Sequence, residues 1–486
     1  MHDHHYLNTD RFARGFAFLT AAALLAGCAT SSDFHPPETA LPAAWDTAAL
    51  DAEAEVADGE WWRDWDDPFL DELVARALSD NLDIAAQTAR VETFRARLGF
   101  SRAEQWPRLD GQASASRERQ SGAALGFPGI GARTDNRFVI SGLLSYEVDL
   151  WGRLAREREN AEALLRENLH AREGIRRRVA TDVVTTYVSW RAALRSLVLV
   201  EETVAAREET VRLEEVRREL GAIDDFSLQQ ALSELEAARA EIPPLRQHAR
   251  LLENGLGVLV GMEPSELWNG LGRGPDVENP LSIPAELPAG LPSELLQRRP
   301  DIRAAEAALE AASARIGVAR AARFPRLNLA AMIGTAALST GDLFSGDSLM
   351  WSAGAETSGV IWDFGRTRAG VETAEAEAEE IAVRYRATVV NAFAEVRDAL
   401  VLLESNGERV ESARRLAAAW ERAAELAEIR FESGHISRLE KLDAERARLA
   451  ALLTLEQALA DQAASLATLH HALGGKMENF PASSGQ

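Results

Sequence analysis

Four short stretches of this 486-residue chain recur later in the same order, and no other feature limits the fold as much. Trp106-Pro107-Arg108-Leu109 returns as Phe324-Pro325-Arg326-Leu327, 218 positions on. Asp149-Leu150-Trp151-Gly152-Arg153 returns, one residue shorter, as Asp363-Phe364-Gly365-Arg366. Arg217 to Gly221 returns as Arg430 to Gly434, and Leu256 to Gly261 as Leu469 to Gly474, both 213 positions on. Two copies of one unit of about 215 residues follow from this order. The stretch from Asn254 to Pro292, rich in Gly and Pro, reads as the linker between them.

Inside each copy the hydrophobic period changes. After each Gly-Arg signature runs a segment without proline, Arg153 to Leu220 and Arg366 to Ser433. A continuous helix of that length would reach about 100 Å. Tyr187, Trp190, Leu194, Leu197, Val204 and Val211 follow a heptad seam. Gly221 and Gly434 are placed as C-cap glycines. Returning helices are expected over Asp225 to Val260 and Ser437 to Leu473, with Pro243-Pro244 breaking or kinking the first. The corresponding site in the second copy, around Glu456, has no proline.

Ahead of each helix pair the period is two. Phe138, Ile140, Gly142, Leu144, Tyr146, Val148 and Leu150 alternate with Val139, Ser141, Leu143, Ser145, Glu147 and Asp149. Leu109 to Arg117 alternates more weakly, and Ser121 to Gly131 reads as a hairpin loop. In the second copy the strands are expected over Leu327 to Ile333 and Trp351 to Asp363. Strands of roughly 10 to 13 residues are long enough to span a bilayer. A small soluble sheet covering the helix ends is the other reading. If the strands span, four cannot close a barrel, and an open edge is not tolerated in lipid. Several chains must then contribute.

At the N-terminus, Arg11 and Arg14 precede an apolar run, Phe16 to Gly27, too short to span a bilayer. Cys28, the one cysteine of the chain, follows Leu25-Ala26-Gly27. This pattern resembles a lipoprotein lipobox, which implies acylation of Cys28; an ordinary signal peptide with an incidental cysteine is the alternative. His2, His4 and His5 fall in the segment expected to be removed. The net charge of −23 speaks against a nucleic-acid partner. No phosphate loop, nucleophile elbow or zinc-type His spacing is present, so no enzyme is expected. The adjacent pair His470-His471 reads as solvated or packed. The division expected is 1–27 signal peptide, 28–66 tether, 67–262 first repeat, 263–290 linker, 291–474 second repeat and 475–486 tail.

Leu291-Pro292-Ser293-Glu294-Leu295-Leu296 followed by Arg298-Arg299-Pro300-Asp301-Ile302-Arg303 resembles the hallmark of the lipoprotein (NodT-type) branch of TolC-like outer-membrane efflux factors. Ile316 to Ala321 with Phe324-Pro325, Tyr146 to Arg153, and Ile242-Pro243-Pro244-Leu245-Arg246 extend the resemblance over nearly the whole mature chain. It implies a mixed α and β membrane protein: a trimeric twelve-stranded outer-membrane β-barrel continued by a long periplasmic α-helical barrel. It implies an exit duct, lipid-anchored in the outer membrane through Cys28, with no cofactor. The implied partners are a periplasmic adaptor and an inner-membrane transporter of the resistance-nodulation-division class. An exit duct for type I protein secretion and a lumenless coiled-coil lipoprotein are the competing readings.

Phe431, Gly434, Glu440 and Asp443 match the family's motif at the periplasmic end, where the tube closes. Glu440 and Asp443 are three residues apart and share a helical face. In a trimer they would form carboxylate rings with raised pKa values that attract cations. Pairing of either with Arg438, Lys441 or Arg446 is the plainer alternative. The chain departs from the TolC end-member at Ile436, where that relative has a latch arginine, and at Glu440, where it has aspartate. The equivalents in the first copy, Ser227 and Gln230, are uncharged. The exposed turns, including Gly221, Ala222, Ile223, Gly434, His435 and Ile436, are the expected adaptor contact.

Overall fold

The computed structural model describes residues 60–120, 133–263 and 298–474, with positions 275, 277, 283 and 284 between them. Cys28, the signal segment, the Ser121 to Gly131 loop, most of the linker, the Leu291 to Leu296 motif and the tail lie outside the described residues. Two compact units divide the rest: residues 91–168 with 305–385, and residues 60–90 with 169–304 and 386–474.

The first unit is built around a sheet of four strands in the order β1 (Arg108–Gln120), β2 (Arg133–Val148), β3 (Arg326–Ala337), β4 (Leu349–Ser358). Every neighbouring pair is antiparallel. Each copy supplies one hairpin, and β2 and β3 join them from Phe138↔Ala337 to Val148↔Leu327. The register puts like with like. Leu109, Gly111, Ala113 and Ala115 share a face with Phe138, Ile140, Leu144 and Tyr146, then with Leu329, Ala331 and Ile333, then with Trp351, Ala353 and Ala355. The opposite face carries Gln112, Ser114, Ser116, Ser141, Ser145, Asn328, Ser352 and Glu356. One face is therefore apolar along most of all four strands, and the other is mostly polar and small, with Val139, Leu143, Met332 and Met350 interspersed. Ile333 and Trp351, at 63% and 74% exposed, show that nothing among the described residues covers the apolar face there.

The strand ends differ from expectation. β2 stops at Val148 rather than Leu150, and β4 at Ser358 rather than Asp363. A strand lasts only while a ladder partner faces it. Ser358 pairs with Arg326, the first residue of β3, and among the described residues no ladder partner follows for the residues after it, although Gly359 lies against Pro325. Within the chain β1 and β4 are both edge strands.

Helices α1 (Pro68–Asp80) and α2 (Leu82–Ala103) precede β1, and α5 (Pro300–Ala321) precedes β3. Gly317 lies on α5 where a Cβ would come within 2.9 Å of the Arg156 side chain, so glycine permits this close helix packing. The long helices are α3 (Arg153–Glu219), α4 (Asp225–Val260), α6 (Arg366–Glu432) and α7 (Arg438–Leu473). Their ends fall within a residue of the sequence expectation. Pro243 and Pro244 do not break α4. Ile242, packed against two apolar clusters, anchors the helix at the point where the prolines remove hydrogen bonds.

In the second unit the heptad seam is the core. Tyr187, Trp190, Val204 and Val211 are buried, with Leu194 and Leu197 half-buried. One window of α3 is apolar enough to cross a membrane by length and composition. Its Val183, Val184, Tyr187 and Val188 are fully buried against Leu70, Leu73 and Leu466, so this apolarity serves packing. Asp67 caps α1 by accepting from the Phe69 N–H at 3.0 Å and also accepts from the Tyr187 hydroxyl. Arg299 of the Arg-Arg-Pro-Asp motif is buried, donating to Asp301, to Glu395 at 2.6 Å and to the Ala472 carbonyl at 2.9 Å. His470 stacks on Trp61 at 4.7 Å, and burial pushes its imidazole down to about 4.

Gly261 ends α4 at φ 78°, and a Cβ there would lie 2.4 Å from the Asp80 carbonyl oxygen. Gly221 has a similar φ of 72° but open space around it. Alanine at either position bears the left-handed penalty of about 1–2 kcal/mol. Gly261→Ala adds a backbone clash, so thermal unfolding followed by circular dichroism in detergent should show the larger loss for Gly261→Ala.

Candidate functional site

The tips of the two helix pairs are built alike. At the first, the Gly221 N–H donates to the Arg218 carbonyl at 2.9 Å and the Ala222 N–H to Arg217 at 2.8 Å. At the second, Gly434 donates to Phe431 at 2.9 Å and His435 to Arg430 at 2.8 Å. These crossed bonds are a Schellman motif, which needs a left-handed residue; Gly434 has φ 73°. Ala222 and His435 are exposed, whereas Ile223 and Ile436 are half-buried, and Ile223 packs against the Val204 and Val211 cluster. The turns expected to meet an adaptor are thus only partly open.

The returning helices begin with the same pair of groups in exchanged places. In the first copy Asp224 is the N-cap and accepts from the Ser227 N–H at 3.0 Å and hydroxyl at 2.7 Å. In the second, Ser437 is the N-cap and Glu440 the third helical residue, a full capping box. The Ser437 N–H and hydroxyl donate to Glu440 Oε2 at 2.7 and 2.8 Å. The backbone bond, then the hydroxyl, holds the Glu440 carboxyl below the usual carboxylate range. The upward shift expected of carboxylate rings belongs to a trimer; within the single chain both donors favour the charged form. Asp443 is exposed and faces Arg446 at 3.2 Å, as the plainer reading foresaw. Phe431 is half-buried with the Lys441 ammonium 5.2 Å from its ring centre, and Lys441 also pairs with Glu428 at 2.5 Å.

Inspection of the sequence missed the charges that join the two helix pairs. Glu214 of α3 pairs with Arg438 of α7 at 2.5 Å, with 6% and 16% of the side chains exposed. Glu234 of α4 accepts from Arg446 of α7 through Nε at 3.0 Å and lies 3.4 Å from Arg207. Arg195 of α3 approaches Glu456 of α7 at 3.8 Å. Burial raises the Glu456 carboxyl, opposed by Arg195 and then Arg191. A signal for these groups was present: Arg207 and Glu214 each lie three residues after a seam valine, on the apolar stripe. Glu214 and Arg438 also border a cleft lined by Glu428, Phe431 and Lys441.

The buried pair predicts a specific pattern. Removing one partner of a buried ion pair costs about 3–5 kcal/mol, while an apolar replacement of both is often neutral. Arg438→Met should lower the unfolding temperature clearly, and adding Glu214→Leu should restore most of it. Equal, additive losses would mean that the two groups do not act as a pair.

Comparison with known proteins agrees with the geometry. The family model described as outer membrane efflux protein matches residues 73–262 and 291–475. The probable efflux pump outer membrane protein TtgC of Pseudomonas putida is 31% identical over 93% of this chain and 94% of its own length. Outer membrane protein OprJ of Pseudomonas aeruginosa is 32% identical over 95% of this chain and 96% of its own. The solved outer-membrane channel OprN superposes with a TM-score of 0.81 at 30% identity, over 92% of this chain and 99% of that one. A match over both repeats, with relatives of this identity and coverage, places the chain in the outer membrane efflux protein family.

Proposed function

We propose that this protein is the outer-membrane exit duct of a tripartite efflux pump, passing small molecules outward without chemistry of its own. The two-faced sheet carries this reading. An apolar face continuous over four strands suits lipid, and a polar face of serines, Gln112, Asn328 and Glu356 suits water. Strands of 13, 16, 12 and 10 residues are long enough for a tilted bilayer crossing. A lumenless spacer has no use for such a surface.

Two unpaired edges require further copies of the chain. Three copies would give a twelve-stranded barrel and a ring of helix pairs, with pseudo-sixfold symmetry from the internal duplication. Energy would come from an inner-membrane transporter of the resistance-nodulation-division class, joined through a periplasmic adaptor that meets the tips at Gly221, Ala222, Gly434 and His435. Ile223 and Ile436 would support these tips from beneath. Acylation of Cys28 would tether the chain to the outer membrane. The names of the relatives support the efflux role: TtgC is described as an efflux pump outer membrane protein.

At the periplasmic end, Glu440 and Asp443 would ring the axis, with Phe431 packed behind them. Carboxylates held charged by a capping box attract cations and repel anions. In planar bilayers the detergent-purified protein should give a small, cation-selective conductance. Glu440→Gln with Asp443→Asn should reduce the selectivity. Glutamine still completes a capping box, so the fold is kept while the charge is lost. Absence of any conductance would overturn the duct, and selectivity unchanged in the double variant would move the filter elsewhere.

A further inference from the structure

The polar face of the sheet carries two side chains out of keeping with its serines. Among the described residues the methionines are Met262, Met332 and Met350. Met262 packs against the main core cluster. Met332 and Met350 stand on the polar face instead, on neighbouring strands. Met332 of β3 pairs with Ser352 of β4, and Met350 of β4 pairs with Gly334 of β3, so the two methionines are diagonal neighbours on one face. Diagonal strand neighbours lie about 7–8 Å apart, within reach of long side chains. Both side chains are half-buried, so neither is withdrawn from solvent.

The place between them is kept bare. Gly334 lies two residues after Met332 and directly opposite Met350. A Cβ there would come within 2.3 Å of the Ile140 carbonyl oxygen and 2.7 Å of the Ser141 Cα, so no side chain can fill the position. The close approach of β2 to β3 thus leaves open backbone beside both methionines. Two rungs of the sheet meet here. One holds Asp110, Leu143, Met332 and Ser352, the other Gln112, Ser141, Gly334 and Met350. Neither rung has a basic residue to repel a cation. Their few oxygens fall short of the six to eight, roughly, that a hard cation such as calcium takes. Thioether sulfur is a soft ligand and selects ions such as Cu(I). Methionine elsewhere fills gaps in apolar cores, as Met262 does, a use that a water-facing surface does not call for.

We infer that Met332 and Met350 together bind a soft monovalent metal ion, of the Cu(I) and Ag(I) class, over the bare backbone at Gly334. The inference deepens the duct reading and rests on it, because only in a duct does the polar face line the path of the cargo. Both ligands are neutral, so the ion keeps its charge and is held loosely. A site on a conducting path must bind weakly enough to let go. Leu143, beside Met332 in its rung, favours an ion that sheds water readily. Each chain carries the whole pair on its own β3–β4 ladder.

The test uses the full chain in detergent, with silver nitrate as the probe and nitrate as the only small anion. Hydrogen peroxide transfers one oxygen atom to a thioether, leaving sulfoxide and water, and peptide mass spectrometry reads each methionine separately. A sulfur whose lone pair is engaged by silver oxidises more slowly. Silver should slow oxidation severalfold at Met332 and Met350 and leave Met262 unchanged. Leucine conserves the volume of methionine without its sulfur. Met332→Leu should therefore remove the protection at Met350, and Met350→Leu the protection at Met332. No protection, or protection at one methionine that survives loss of the other, overturns the paired site. Potassium conductance in planar bilayers tests the duct separately. A protein that conducts but shows no coupled protection loses the metal site and keeps the duct. Coupled protection without conductance leaves two sulfurs that bind silver on no cargo path, and the inference falls with the duct.

Discussion

An unpaired backbone amide has no partner in a lipid bilayer, and each one exposed there costs several kcal/mol. The four-stranded sheet satisfies this constraint inside but not at its edges, where β1 and β4 each have one side without a strand partner among the described residues. Much of the rest can be read as a response to those two edges. An apolar face spread evenly over β1 to β4 needs lipid against it. A polar face opposite needs water. Only a closed cylinder supplies both without an edge, and four strands are too few to close one.

The internal duplication lets one chain supply two equivalent parts of such a cylinder. Equivalence ends where function could be asymmetric. At the helix starts, Asp224 with Ser227 and Ser437 with Glu440 perform the same capping with acid and hydroxyl exchanged. The exchange moves the carboxylate from the N-cap to the third helical position of α7. Along the shafts, Glu214 with Arg438 and Glu234 with Arg446 bind the first helix pair to the second by buried charge. Their duplicated counterparts include Ala427 for Glu214 and Ser233 for Arg446, which cannot pair in this way. These buried contacts therefore have no chemical equivalent at the duplicated positions even where the backbone repeats.

The long elements were legible because their signals are local. Arg153 to Glu219 and Asp225 to Val260 are fixed by absent prolines, a heptad stripe and terminal glycines, and each end falls within a residue of its expectation. The alternation around Phe138 to Val148 identified β2 in the same way. The failures came where a distant partner decides. β4 ended early because its continuation has no ladder partner among the described residues. Pro243-Pro244 left α4 unbroken, which excludes the break but not the kink of the two outcomes expected there. Of the candidate site, the positions of Gly221, Gly434, Glu440 and Asp443 at the tips were legible. The capping role of Glu440 was not drawn, although Ser437-Arg438-Leu439-Glu440 spells the box. The pairing of Glu214 with Arg438 joins residues 224 positions apart, a contact that no local pattern encodes.

The central claim is that one chain is a fixed fraction of a closed ring. Native mass spectrometry of the detergent-extracted protein reads this directly. The account predicts a single species of three copies, the number that completes twelve strands. A monomer, or a ladder of sizes without a closed state, would contradict it.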